Sequence, residues 1–573
     1  MYFFISQPFN FFKDRIVKQI AINNYLSKFN IIDQKKTRFP MRKYVYAAII
    51  LCTINISMCY GQTSPVEKGV RAITPDVIKA QLGFLASDWT EGRFAGEKGE
   101  FLAADYITSM LRLYGVKPGG DNISTRSRDN NNRENERSYF QNFVMLKTIA
   151  GDEQILKVRS TDGKMEQTTN FIYNVDFTVR PSDPGIEIDA PVVFAGFGLI
   201  NKSLKYNDFI KLDVKGKFVL RITGLPEFMR KSLDMATYTS MVRETESYLK
   251  AMGAAGILDF SPAATVVGNP ENREFMDLSP SEGIPRPGSR NTRYSIPGKS
   301  SPDELIRISV SVKTASEILK GTGINIDDYI KKADINEPFM IPPMSNKSVY
   351  LKTTVKTSQV AVRNIIGVIE GNNPDKIIVL GAHYDHMGIS NGYIWNGADD
   401  NGSGVVGVMT LAKALIESGV KPEKTIIIAL WTAEEEGMLG SRYYIQNLSY
   451  PINYLKLNMN FDMISRYFSD EETRKVTMTY TNSIPRIKEI TSDNLNKYGI
   501  DLLVDYQPSA NPVGASDEAT FINAGIPIIR IKTVHRNEYH TPDDELNTID
   551  WDIMEKIIKI GFTIIWDLAN TDW

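Results

Sequence analysis

The stretch that decides the fold runs KIIVLGAHYDHMG (376–388) and resumes, after a short polar connection, as GADDNGSG (397–404). KIIVL is a short β-branched apolar run, the pattern of a strand buried on both faces of a parallel sheet. His383 and Asp385 therefore stand just past a strand's C-terminal end, the edge where open α/β sheets build their sites. After the second motif, VVGVMTLAKALIESG (405–419) carries apolar residues at helical spacing and closes at Gly419. That places Asp399 and Asp400 in a tight turn at a helix N-terminus, where two adjacent carboxylates repel unless a cation neutralises them.

Working outward, strands and helices alternate from about residue 350 to the end. NIIGVIEG, KIIVLGAHYD, TIIIALWTAEEEG, LNMNFDMI, VTMTYTN and IPIIRIK read as strands, with helical segments between them and an amphipathic helix from Trp551. This alternation predicts an α/β fold, a mixed and mostly parallel central sheet with helices on both faces. The chain has four histidines, His383 and His386 in the first motif and His535 and His540 in TVHRNEYHTPDD (533–544). Such clustering points to chemistry rather than packing.

At 573 residues the chain is long enough for two or three structural units. Its 66 lysines and arginines against 68 acidic residues leave no basic surplus, so nucleic acid is not an expected partner. Both cysteines, Cys52 and Cys59, lie in one N-terminal apolar segment. The rest of the chain has no disulfide framework or thiolate site, and any metal there must be held by His, Asp and Glu.

That segment, MRKYVYAAIILCTINISMCYGQ (41–62), has the pattern of a secretory signal, with Met41 read as the true start. The expected location is extracytoplasmic: periplasmic, secreted or lipid-anchored. A membrane is contacted only through a single N-terminal anchor or a lipid on Cys59, although Met58 is a poor match to the small residue usual before a lipidated cysteine. Residues 1–61 are thus expected to be leader and signal, 62–170 the opening part of a catalytic domain, 171–345 an inserted mostly β domain, and 346–573 the main part of the catalytic domain. The insert shows short runs such as APVVFAGFG and GKFVLRI, one helix-like piece, and prolines and glycines clustered from Pro262 to Pro302.

The polar residues at the predicted strand ends are His383, Asp385, Glu434, Glu435 and Asp462, joined by Asp400 from the turn and His540 from the loop after IPIIRIK. Two imidazoles and three carboxylates suit a pair of zinc ions. Singly, each has a plainer reading: DDNGSG as a helix-capping turn, Glu434 to Glu436 as a solvated charge run, His386 as a bystander or supporting group, His535 as structural. Asp462 is harder to dismiss, since an unpaired buried carboxylate is costly. Their common position at strand ends carries the argument.

The blocks GAHYDHMG, NGADDNGSG, WTAEEEGMLGS, NFDMIS, GASDEATF and EYHTPDD occur in one order across residues 350–573, and in this the chain resembles the co-catalytic di-zinc aminopeptidases, the aminopeptidase Y-like family. FLASDWTEGRFAGEKG (84–99), VVFAGFG and YNDFIKLDVKGKFVL resemble that family's opening segment and its protease-associated domain. The resemblance implies two zinc ions per chain, His383 and Asp462 holding one, Glu435 and His540 the other, and Asp400 bridging. It implies Glu434 as general base, Asp385 as the carboxylate orienting His383, and Tyr539 as a stabiliser of the tetrahedral oxyanion. It further implies a cis peptide after Asp400 and peptide substrates with a free N-terminus. Trp431, where Phe is frequent, and the third acid Glu436 depart from the family pattern without touching the metal set. Ser516, Asp517 and Arg466 are candidates to line the substrate pocket. Other readings keep the fold and change the role: a glutaminyl cyclase, an enzyme cleaving acidic dipeptides, or a receptor-like binding module.

Overall fold

The computed structural model describes residues 63–573 apart from 124–135, 163–164, 183, 234, 263–291, 299–304 and 338. The signal-like segment with Cys52 and Cys59 lies outside the described residues, as does most of the proline- and glycine-rich run after Pro262.

Helices α1 (Pro75–Leu85) and α2 (Lys98–Tyr114) precede a long strand, β1 (Phe140–Asp162). Short strands follow: β2 (Phe177–Val179), β3 (Glu187–Phe194), β4 (Phe218–Ile222), β5 (Gly256–Phe260) and β6 (Arg307–Val310). A second long strand, β7 (Lys347–Ile369), leads into β8 (Asn373–His383), α3 (Gly404–Glu417), β9 (Lys424–Trp431), β10 (Leu455–Phe461), β11 (Lys475–Thr481), β12 (Leu503–Ser509), β13 (Ile528–Lys532) and α4 (Trp551–Asn570).

The strands join in the order β12-β11-β13-β10-β8-β9-β7-β3-β4-β5-β6-β2. β9, β8, β10 and β13 pair in parallel, and β7 and β11 flank this quartet antiparallel. The expected mixed, mostly parallel sheet is therefore present. Alternation within the quartet shows why apolar runs form it. Ile378, Leu380 and Ala382 of β8 enter a core with α1 to α4, whereas Ile377 and Val379 enter a second core on the opposite face with Tyr444 and Phe521. Both faces are covered, so charged residues are few along the quartet, and Arg530, midway along β13, is paired with Glu518.

β1 and β7 pair antiparallel from Lys347↔Ser160 to Ile365↔Phe140, and β3 adds to the far half of β7. Residues 171–345 are thus hydrogen-bonded into the same sheet, while they build their own core around Phe194, Phe218, Leu258 and Ile308. This segment is less β-rich than the sequence suggested. β3 to β6 pair in parallel, and helices Met235–Ala251, Val312–Leu319 and Ile326–Asp334 accompany them. Met235–Ala251 overlaps the helix-like piece read from the sequence, whereas Val312–Leu319 and Ile326–Asp334 are too short to give a clear 3.6-residue signal.

The helix boundaries follow local chemistry. α2 ends where Gly115 adopts φ 87° and Val116 N–H reaches the Leu111 carbonyl, and α4 begins where the Asp550 side chain accepts from the N–H groups of Asp552 and Ile553. Among the described residues no helix is long and apolar enough to cross a membrane.

Candidate metal centre

Four strand ends and one turn deliver the site. β8 ends on His383, β9 stops just before the Thr432–Glu436 loop, β10 stops one residue before Asp462, and the loop after β13 carries His540. The turn Ala398–Ser403 brings in Asp400, and its peptide bond to Asn401 is cis, as the resemblance implied. Gly397 opens the turn with φ 55°, and a Cβ there would lie 2.1 Å from the Asp400 carbonyl oxygen, so only glycine fits.

The five expected metal ligands converge. His383 Nε2 lies 3.3 Å from Asp400 Oδ1 and 3.6 Å from Asp462 Oδ1. His540 Nε2 lies 2.8 Å from Asp400 Oδ2 and 3.4 Å from Glu435 Oε2. Asp400 thus turns one oxygen to each imidazole, the arrangement a bridging carboxylate requires. Donor atoms of His383, Asp400 and Asp462 all lie within 4.8 Å of one another, as do those of His386, Asp400 and Glu435. Asp462 Oδ1 is buried with no hydrogen-bond partner among the described residues. A buried carboxylate oxygen in that state, facing imidazoles and other carboxylates, fits a divalent cation.

The adjacent carboxylates avoid each other by facing different partners. Asp399 accepts from the hydroxyl (2.6 Å) and N–H (3.0 Å) of Ser465 and lies 3.5 Å from Arg466 Nε. Asp544 caps the turn from behind, accepting from Asp399 N–H at 3.0 Å and Asp400 N–H at 2.9 Å. Asn401 ties the turn to β10, donating to the Phe461 carbonyl at 3.0 Å and accepting from Met463 N–H at 3.3 Å. Left-handed backbone at Ala433 (φ 53°), Met463 (φ 56°) and His540 (φ 52°) aims the ligand-bearing residues inward. Each such position costs about 1–3 kcal/mol, a cost found mostly at functional sites.

Asp385 faces both His383 and the glutamate loop. Its carboxylate oxygens accept from the N–H groups of Glu434 (3.0 Å) and Glu435 (3.3 Å), while Oδ1 stands 3.8 Å from His383 Nδ1. The group within 3.2 Å of that nitrogen is Asp385's own backbone carbonyl. Its side chain orients the glutamate loop more directly than the imidazole. Tyr539 stacks flat on His540, centroids 3.7 Å apart, and its other face meets His535 at 4.4 Å. The ring steadies the His540 imidazole. Arg466 does not line a pocket: it is buried behind the turn, donating to Asp544 Oδ1 at 2.8 Å and to the Thr548 carbonyl.

Burial dominates the electrostatics. It pushes the Glu434 carboxyl well above the usual range, with Asp517, Glu435 and Asp462 adding to the rise and His383 opposing it. Asp517, fully buried, is pushed up to about 7 by the same desolvation, with His383 opposing and Asp462 reinforcing it. For His383, burial acts downward, yet the carboxylates of Asp400 and Asp462 beside its ring raise it well above its ordinary value. So dense a set of acids held around imidazoles favours bound cations.

One contributor escaped the sequence reading. Arg93, from FLASDWTEGRFAGEKG, is buried and donates to the carbonyls of Leu85, Tyr384, Asn396 and Gly397. Nothing in a lone arginine near a glycine-rich loop signals this, because three of its four partners are backbone atoms about 300 positions away.

Residues 364–564 match peptidase family M28. Leucine aminopeptidase 2 of Trichophyton rubrum is 34% identical over 166 residues, covering 29% of this chain and 32% of that protein. Leupeptin-inactivating enzyme 1 of Streptomyces exfoliatus is 32% identical over 171 residues, covering 29% and 34%. The chain thus aligns with about a third of the length of these curated relatives. Among solved structures, the aminopeptidase from Aneurinibacillus sp. strain AM-1 superposes with a TM-score of 0.52 at 17% identity, covering 88% of this chain and 97% of that one. The segment that matches peptidase family M28, residues 364–564, holds every residue of the metal-ligating cluster.

Proposed function

We propose that this chain is a zinc-dependent aminopeptidase that releases N-terminal residues from peptides. One observation carries the reading: Asp400 divides its two oxygens between His383, beside Asp462, and His540, beside Glu435, and the half-buried acid Glu434 directly precedes a ligand. His383, Asp462 and Asp400 would hold one zinc ion, and His540, Glu435 and Asp400 the other. The ions, when bound, would polarise the scissile carbonyl and lower the pKa of a water.

The chain's own residues supply the rest. Glu434 takes the proton of the attacking water and passes it to the departing peptide nitrogen, a role suited to a carboxyl whose affinity for protons is raised by its surroundings. Asp385 fixes the backbone of Glu434 and Glu435 together, so base and ligand move as one unit. Tyr539, stacked on His540, has its phenol in the same loop, and oxyanion stabilisation remains its proposed second role. The signal-like segment at 41–62 supports an extracytoplasmic location, and VVFAGFG with YNDFIKLDVKGKFVL supports a protease-associated insert that shields or orients substrate.

Glu434→Gln tests the mechanism. The variant is expected to keep wild-type zinc content and lose about 100-fold or more of its turnover on aminoacyl chromogenic substrates. Unchanged turnover with zinc still bound would remove Glu434 from the role of base. No chelator-sensitive release from any aminoacyl substrate by the wild type would overturn the aminopeptidase reading itself.

A further inference from the structure

His386 stands outside the five-ligand set, yet its position is as constrained as theirs. It is 1% exposed, on the loop after β8, and its backbone N–H donates to the Arg93 carbonyl at 3.1 Å. The imidazole packs against the backbone at Gly397, where a Cβ would come within 2.5 Å of ring carbon Cδ2. The backbone that presents Asp400 therefore also fixes this ring. Nδ1 lies 2.9 Å from Glu435 Oε1, while the other oxygen, Oε2, lies 3.4 Å from His540 Nε2. The carboxylate of Glu435 is held between two imidazoles, one on each oxygen.

We propose that His386 is a positioning residue for Glu435, setting the affinity of the cation position formed by Asp400, Glu435 and His540 and leaving the His383–Asp462 position untouched. This rests on the two-ion reading above. A carboxylate on a flexible side chain can rotate away from a cation. With Nδ1–H donating to Oε1, rotation is blocked and the lone pairs of Oε2 face Asp400 and His540. The donor atom of His386 also lies within 4.8 Å of those of Asp400 and Glu435, so direct ligation is the competing role. Positioning is favoured because Nδ1 is already engaged with Glu435.

The two roles separate by substitution. Asn at 386 can place an amide N–H where Nδ1–H stands, whereas Leu fills the space with no donor. Metal-free protein is titrated with zinc by calorimetry, and bound zinc is counted after gel filtration. In His386→Leu the second binding step is expected to weaken about 10- to 100-fold with the first unchanged, and His386→Asn is expected to recover most of the loss. The proposal is overturned if His386→Leu binds both ions as tightly as wild type, if it loses both together, or if His386→Asn fails as His386→Leu does. The last result would assign His386 as a ligand. Should His386→Leu not fold, His386→Gln, whose amide falls near the Nε2 position, takes its place. A wild-type protein that takes up fewer than two ions would sink the two-ion reading first, and this proposal with it.

Discussion

Arg93 Nε donates to the carbonyl oxygen of Tyr384 at 2.9 Å, across 291 positions of sequence. The same guanidinium donates to the Leu85 and Asn396 carbonyls at 2.6 Å and to Gly397 at 2.9 Å. It thereby clamps the loop after His383 to the turn that carries Asp400. Burial lowers its pKa to about 10, with Asp544, Asp385 and Asp400 opposing, so it stays charged at neutral pH. Arg93→Met would orphan these carbonyls at about 1–3 kcal/mol for each one left unsatisfied, and Arg93→Lys would restore the charge without the fork. Denaturant unfolding is expected to show a large loss for Met and a smaller one for Lys, with zinc affinity falling in the same order. A midpoint for Arg93→Met equal to that of wild type would show that the clamp holds nothing.

Asp400 faces both imidazoles, whereas Asp462 stands near His383 alone and Glu435 near His386 and His540. Asp400→Ala is therefore expected to weaken both cation positions, and Asp462→Asn only one. Zinc per chain, measured after dialysis, should fall below one in the first variant and settle near one in the second. The reverse pattern would reassign the bridge.

Much of this site was legible because its ligands are local to strand ends that an apolar run announces. His383 follows KIIVL, Glu434 and Glu435 follow TIIIALW, and Asp462 sits inside LNMNFDMI, so the apolar run alone puts each at a strand end. What escaped depends on contacts between distant backbone atoms. Arg93 reads as an ordinary charged residue, and Asp385 reads as a partner for the nearest histidine, yet its carboxylate takes two N–H groups from another loop. Arg466, a candidate to line the pocket, is instead kept buried by Asp399 and Asp544. In 171–345 the helix-like piece overlaps Met235–Ala251, while Val312–Leu319 and Ile326–Asp334 are too short for their periodicity to stand out.

Glu100, on α2, is fully buried, accepts from Gly96 N–H at 2.6 Å and receives the Thr432 hydroxyl. Burial pushes its carboxyl from an ordinary 4.5 up to about 7. Between those values the folded protein holds a proton that the unfolded chain has released, so this group makes stability fall as pH rises through the window. The loss is on the order of 3 kcal/mol once pH exceeds the folded value. Glu100→Gln should remove that slope and be the more stable protein above about 7, with the advantage gone near 4.5. Parallel stability profiles for the two proteins across the window would refute it.

Asp259 on β5 lies between two arginines, with Oδ1 2.6 Å from Arg221 Nε and Oδ2 2.9 Å from Arg307 Nη2. Burial alone would raise its carboxyl, but Arg221 and Arg307 outweigh it and hold the group below its ordinary 3.8. Stability from this group is therefore present above that value and lost as pH falls through the folded one. Asp259→Asn leaves the Arg221 guanidinium buried with its main counter-charge gone, a change that costs about 3–5 kcal/mol in comparable buried pairs. The loss belongs to the core built by residues 171–345, while the metal-ligating cluster lies in the parallel quartet. Asp259→Asn is thus expected to lower the unfolding midpoint without changing zinc stoichiometry in the folded protein. If zinc content falls in step with stability, the two cores are coupled more tightly than their separate packing implies.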